Sequence, residues 1–385
     1  MSRPQRQRRS LLSIGFLLAG LGLILSTACR EAPRPQAAVR ERQLAFVTNG
    51  RSHDVSVVDV VRLEVVATIP VGRNPTDVRA RPGSSEVYVV ATDDNRVEVI
   101  DAVTRTVAGV IPVGERPFFV EFSPDGKRAY VANSGSNTLS VIDCAGRRLE
   151  AIVGVGRQPG VARASPDGRW VLVSNRGDST VSIVSAETLK LSATVEVAGQ
   201  PEQIAILLDS SKAFVAGTAR GQVSALDLKR QVLLANISVG ETPVDLELKP
   251  DGGELFVANF GSHTVSIINT WTNDVTETLD AGRNPVRLEL SRDGSRLYVT
   301  NFGSNQLFEV EIETRRVRGT ATLGFQPDAT ALTPDGTTLL VTNTTSNDLA
   351  VVDTQGPALT TLVPLGASPR AIAVTRVPVA PGGER

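Results

Sequence analysis

The fold class this sequence predicts is all-β: a closed ring of eight four-stranded antiparallel sheets. Three observations predict it. Prolines recur every 42 residues, at Pro75, Pro117, Pro159, Pro201, Pro243, Pro285, Pro327 and Pro369. Each interval holds four short runs rich in Val, Ile, Leu, Phe and Tyr, separated by Gly, Asn, Asp, Pro and Ser. The two ends of the chain carry complementary fragments of one further unit. Periodicity of this kind governs the fold before any single motif does.

The unit from Pro117 to Gln158 gives the elements in order. "PFFVEF" reads as a strand, "SPDG" as a turn and "RAYVAN" as a second strand. "SGSN" turns the chain into "TLSVID", and "CAGRRL" leads into "EAIVGVG". Four β-rich runs punctuated by turn residues predict an antiparallel meander. Such a sheet cannot cover both of its faces alone, and repetition around an axis is the β-propeller solution. Seven complete units run from Pro75 to Ser368. Leu44 to Asn74 supplies three strands of an eighth, and "PRAIAV" supplies its innermost strand, so both chain ends close the last blade. Seven blades with one end undocked is the alternative.

Other positions keep the same register. Three residues before the prolines stand Gly72, Gly114, Gly156, Ala198, Gly240, Gly282, Gly324 and Gly366. The second strands end on Asn49, Ala91, Asn133, Asn175, Gly217, Asn259, Asn301 and Asn343. "AYVANSGSNTLSVID", "LFVANFGSHTVSIIN" and "LYVTNFGSNQLFEVE", with "SPDG" before and "VGxxP" after, resemble YVTN-type β-propeller repeats over about 335 residues. The resemblance implies an exported or surface propeller of the lactonase-like superfamily. Blade four departs from it, with "LDSS" (Leu208 to Ser211) in place of "SPDG" and Gly217 in place of Asn.

The N-terminus is a different kind of segment. "MSRPQRQRR" is basic, "LLSIGFLLAGLGLIL" is uncharged and apolar, and "STAC" follows. This is the layout of a secretory signal peptide, and its apolar run is short for a membrane span. "LSTAC" resembles a bacterial lipobox that would make Cys29 the lipidated first residue, although Leu25 lies one place further away than the usual pattern has it. Ser26-x-Ala28 also suits ordinary signal peptidase, and Arg8-Arg9 leaves twin-arginine export open beside the general route. Residues 1–28 are therefore expected to be a signal peptide, 29–43 a lipidated cysteine with a flexible tether, 44–378 the propeller and 379–385 a disordered tail. The expectation is an exported lipoprotein of the periplasm or cell surface, touching membrane only through its lipid.

Composition narrows the function. A net charge of −1 and a pI near 6.2 give no basic field for nucleic acid. The chain has two histidines, His53 and His263, and the repeat aligns them with Asn95, Asn137, Ser179, Gly221, Asn305 and Asn347. Those types suit turns with positive φ, so both histidines read as turn residues, too far apart in the ring to share a metal ion. Tyr88, Tyr130 and Tyr298 align with Phe46, Phe214 and Phe256 and read as core. Asp125, Asp167, Asp251, Asp293 and Asp335 read as hairpin-turn carboxylates. "GVGRQPG" is the "VGxxP" of blade three, not a phosphate loop. Cys144, at a turn, reads as a free surface thiol.

Candidate binding residues lie where the repeat varies. Positions three and five past each proline are nearly all apolar and should pack on a neighbouring blade. Alternation then turns positions two and four toward the axis. There stand Asp77, Arg79, Phe119, Glu121, Arg163, Gln203, Asp245, Glu247, Arg287 and Glu289, a charged arc through blades one to six. Phe260, Phe302 and Phe325 fall in loops of one face and suggest a partner-binding patch. The expected function is a non-catalytic, monomeric binding scaffold, without cofactor, for an envelope protein, a polymer or a small polar ligand. The alternatives are a lactonase-like hydrolase or an accessory protein of a periplasmic redox enzyme.

Overall fold

In the computed structural model, residues 41–378 are described, and they form eight four-stranded antiparallel sheets. Seven sheets are consecutive meanders, and the eighth joins the first three strands (Glu41–Asn49, Asp54–Asp59, Glu64–Pro70) to the last, Pro369–Pro378. The first and last strands pair antiparallel from Glu41↔Pro378 to Val47↔Ile372, so the ring is closed and eight-bladed. The first strand begins at Glu41, so the last three residues expected in the tether are sheet, held by Arg376, Val377 and Pro378. The signal segment, Cys29 and the expected tail at 379–385 lie outside the described residues.

Burial follows the repeat. The six aromatic residues that share one repeat position in the second strands, Phe46, Tyr88, Tyr130, Phe214, Phe256 and Tyr298, are at most 1% exposed. They sit between blades: Tyr88 packs with Val120, Phe122 and Val131 of the next blade, its ring edge-on to Phe122 at 5.0 Å. Val78, Val120, Ile204, Leu246 and Leu288, three places past the prolines, are buried as alternation requires. Cys144 corrects the expectation of a surface thiol. It is 1% exposed, like its buried equivalent Ala102, because this turn position tucks beneath the preceding blade. Burial pushes its thiol up to about 11.

Turn chemistry gives both histidines a structural role. His53 and His263 adopt φ of 60° and 63°, as Asn95 and Asn137 do at 54° and 58°. Asn95 Oδ1 accepts the Arg116 amide of the next blade at 2.8 Å, and Asn137 Oδ1 accepts that of Gln158 at 2.9 Å. His53 Nδ1 takes the Asn74 amide at 3.1 Å and His263 Nδ1 the Asn284 amide at 3.2 Å. Each imidazole replaces an asparagine carbonyl as an inter-blade acceptor.

A second tie uses the strand-end asparagines. Asn133 Nδ2 donates to Thr138 Oγ1 at 3.0 Å and Ser140 Oγ at 2.9 Å, and Asn175 and Asn259 repeat the pattern. The connecting glycine lies on this amide: a Cβ at Gly114 would stand 2.6 Å from Asn133 Cγ. Blade four exchanges the two volumes, since Ala198 replaces the glycine and Gly217 replaces the asparagine, and a Cβ at Gly217 would stand 2.5 Å from that of Ala198.

One residue breaks the apolar pattern. Glu309 occupies the position of Val57, Val99, Val141, Ile183, Ala225, Ile267 and Val351 and is 4% exposed. Its nearest cation is Arg296 at 3.9 Å, and its Oε2 has no protein partner. Burial raises its pKa, with Arg296 acting against the rise.

Two outcomes follow for stability. Gly217→Asn is expected to cost about 1–3 kcal/mol through overpacking on Ala198, and adding Ala198→Gly should recover most of it. Denaturant unfolding of the double-mutant cycle would give a coupling of about 1 kcal/mol or more; additive effects would contradict the contact. Glu309→Val should stabilise the ring by about 1–4 kcal/mol at neutral pH, because it removes a weakly paired buried charge. A lower thermal midpoint for that variant would contradict the reading.

Candidate functional site

The innermost strand of each blade begins at the repeat proline, and its pairing with the second strand shifts register just beyond it, as between Pro75 and Asp77 and between Pro117 and Phe119. Such a bulge breaks strict alternation and re-aims side chains. Residues one place past the proline therefore join the wall beside those two and four places past it. The result is a central cavity of about 730 Å³. Asp77, Arg79, Phe119, Arg163, Gln203, Asp245, Glu247, Arg287 and Glu289 all line it, while Glu121 meets it through Arg163. The bulge adds Thr76, Phe118, Glu202, Asp328 and Arg370, which strict alternation would turn away from the axis. Arg176 joins from a loop.

The basic wall spans blades one to three. The guanidinium carbons of Arg79 and Arg163 each lie over the Phe119 ring, 4.8 Å from its centroid, in cation–π range. Arg163 Nη1 donates to Glu121 Oε2 at 2.8 Å, and Nη2 donates to Gln203 Oε1 at 3.3 Å. The carboxylate nearest Arg79 is that of Asp77, at 3.7 Å. Asp77 is occupied otherwise: its Oδ2 accepts the Val120 amide of the next blade at 3.0 Å.

The acidic wall spans blades five and six. Asp245, four blades from Asp77 and at the same repeat position, accepts the Leu288 amide at 2.9 Å. Burial raises the pKa of both aspartates, opposed by Arg79 at Asp77 and by Arg287 at Asp245. Glu247 and Glu289 stand on adjacent blades, and neither is in any ion pair seen among the described residues. Burial, then Glu289 and Asp245, push Glu247 well above the usual carboxylate range. Burial, then Asp245, push Glu289 up to about 7. Arg287 turns to Asp328, at 3.6 Å. Among the described residues, no three His, Cys, Asp or Glu side chains gather as metal ligands.

A family model described as YNCE-like beta-propeller matches residues 76–373. The chain belongs to the YNCE-like β-propeller family. No curated protein matches it. Among solved structures, the propeller resembles the dihydro-heme d1 dehydrogenase NirN, with a TM-score of 0.74 at 16% identity over 86% of this chain and 74% of that one. It also resembles Kuenenia stuttgartiensis hydrazine synthase, with a TM-score of 0.60 at 20% identity over 73% and 95% of the two chains. A functionally unknown protein from Desulfotomaculum acetoxidans DSM 771 gives 0.62 at 18% identity over 76% and 99%. These likenesses concern the fold.

The three candidate partner residues are only partly united. Phe260 and Phe302 form a half-buried pair with ring centroids 6.0 Å apart, and Phe325, on the following blade connection, is 63% exposed. Trp271, which the repeat variation in the inner strands does not single out, is 72% exposed in a turn of blade five. Its signal is an aromatic where the repeat elsewhere has Val61, Val103, Ala145, Glu187, Lys229, Glu313 and Gln355.

The carboxyl pair sets a pH dependence. A group whose pKa is raised on folding holds its proton more tightly in the folded state, so its stabilising share falls as pH rises. For Glu289 the window runs from the unfolded value of about 4.3 to about 7. Unfolding of the Glu247→Gln/Glu289→Gln protein should therefore lose less stability across that window than the unsubstituted protein. The difference is bounded by about 1.4 kcal/mol per pH unit for each proton. Parallel stability curves would contradict the raised values.

Proposed function

We propose that this protein is a non-catalytic binding scaffold of the cell envelope, exported and tethered through Cys29. Its ligand enters the central channel, and an envelope partner contacts the loop face that carries Phe260, Phe302 and Phe325. YVTN-type ancestry of the repeat belongs to the same reading. The observation that carries it is the way the channel charges are held. Asp77 and Asp245 cap the backbone of the next blade, and Arg163 is fixed by Glu121 and Gln203. These fixed groups give the channel a preorganised wall, and preorganisation lowers the cost of binding. The histidines, the usual proton-transfer residues, are committed to inter-blade hydrogen bonds instead.

A second reading, an accessory to a periplasmic redox enzyme, draws support from the names of the similar structures, hydrazine synthase and a dihydro-heme d1 dehydrogenase. Fold likeness alone does not carry an activity across.

Native mass spectrometry of protein purified from the cell envelope tests the main reading. The intact chain should retain a small ligand that Ala329→Trp, which fills the channel from its wall, displaces. Equal retention by both proteins would place the ligand outside the channel. Turnover of a lactone abolished by Glu247→Gln would overturn the non-catalytic reading. Phe302→Ser with Phe325→Ser should weaken capture of an envelope protein by about tenfold, and unchanged capture would remove the aromatic patch.

A further inference from the structure

We infer that the channel ligand is a small zwitterion that carries an ammonium and a carboxylate on one short chain. The inference rests on the channel being a binding site, as proposed above, and adds the chemical class.

The ring of side chains four places past the prolines shows why. In blade order it reads Arg79, Glu121, Arg163, Ala205, Glu247, Glu289, Ala331 and Ala373. Charge is segregated, not alternated. Two guanidiniums flank one carboxylate on one side, two carboxylates stand together on the other, and alanines separate the sides at both boundaries. Glu121 is spent on Arg163, and the Arg163 fork is divided between Glu121 and Gln203. Arg79, and Arg370 of the adjoining blade eight, are left as wall cations without a hydrogen-bonded carboxylate. The Asp77 neighbour of Arg79, 3.7 Å away, already caps the Val120 amide, and Arg79 Nε is buried without a hydrogen-bond partner. Glu247 and Glu289, each also tied to a backbone amide of the next blade (Leu290 and Leu332), are the carboxyl groups without an ion-pair partner among the described residues.

Had the channel charges evolved only to neutralise one another, Arg79 and Glu289 would meet. They face the same cavity of about 730 Å³, with Asp328, Ala329, Arg370 and Ala371 of blades seven and eight on the wall between them, and no ion pair joins them. The walls do feel each other: Arg79 lowers the Glu289 pKa, and Arg163 lowers that of Glu247. Opposite charges held on two sides of one cavity form a fixed dipole. A molecule bearing one charge of each sign, laid antiparallel to that dipole, is the complement that leaves neither wall unpaired. An ammonium also answers the repulsion between Glu247 and Glu289. A lone cation would leave Arg79 uncompensated, and a lone anion would face the glutamates.

Isothermal titration of the full mature chain with glycine, γ-aminobutyrate and ε-aminocaproate tests this, with butylamine and butyrate as single-charge controls. At least one amino acid of the series should bind about tenfold tighter than either control. Glu247→Gln/Glu289→Gln and Arg79→Gln should each remove about that factor. Because the controls use unsubstituted protein, the comparison of ligands does not depend on the variants folding. Butylamine binding as tightly as every amino acid would make the site a cation site, and butyrate doing so would make it an anion site; either overturns the inference. If none binds, the zwitterion class falls, and the ligand retained in native mass spectrometry decides the rest. A channel ligand of single charge leaves the scaffold reading standing, and a channel that retains nothing removes both.

Discussion

The contact between a connecting glycine and a buried asparagine amide governs this ring. Each connection passes so close to the end of the second strand that a methyl group would overlap the amide, in six of the eight blades. At Asn133, Asn175 and Asn259 the amide in turn holds two hydroxyls of the third strand. The entry of every innermost strand is therefore set by an interaction inside its own blade, and its tilt toward the axis follows. Blade four, with Ala198 facing Gly217, shows that the sum of the two volumes is kept even where the residue types are not.

The inter-blade ties form a second layer on that frame. Turn residues at positive φ reach across to the amide before the next proline, and His53 and His263 do this as well as asparagine does. Deeper in the ring, Asp77 and Asp245 perform the equivalent task from within the channel. Polar groups here are structural fasteners first. Glu247 and Glu289, which have no ion-pair partner among the described residues, and Arg79, whose nearest carboxylate is 3.7 Å away, stand out against that background.

Much of this is legible in the sequence because a strict period converts each residue into one of eight comparable choices. Blade count, strand order, ring closure, the aromatic core and the role of both histidines can all be read that way. Nine of the ten channel candidates line the cavity directly, because alternation along a strand is a geometric property of the backbone. Three-dimensional detail that periodicity does not encode stays hidden. A bulge after each proline brings Glu202, Asp328 and Arg370 to the wall. The turn holding Cys144 folds beneath its neighbour, which converts an expected surface thiol into core. Pairing with Arg376 to Pro378 extends the first strand back to Glu41, and no local signal marks it. Trp271 lies in a turn far from the axis, where the repeat tolerates many side chains, so its deviation carries little weight in the sequence alone.

Closure through residues more than 300 positions apart has a bearing on how the molecule comes into being. Three strands of the final blade are made about 300 residues before their inner neighbour, Pro369–Pro378. Until that segment is made the inner edge of Glu41–Asn49 lacks its mate, and such edges invite foreign strands. The seven intervening blades can form in sequence, but the circle locks only once Pro369–Pro378 has followed them. Whatever escorts the nascent polypeptide must shield that early edge until its late counterpart arrives.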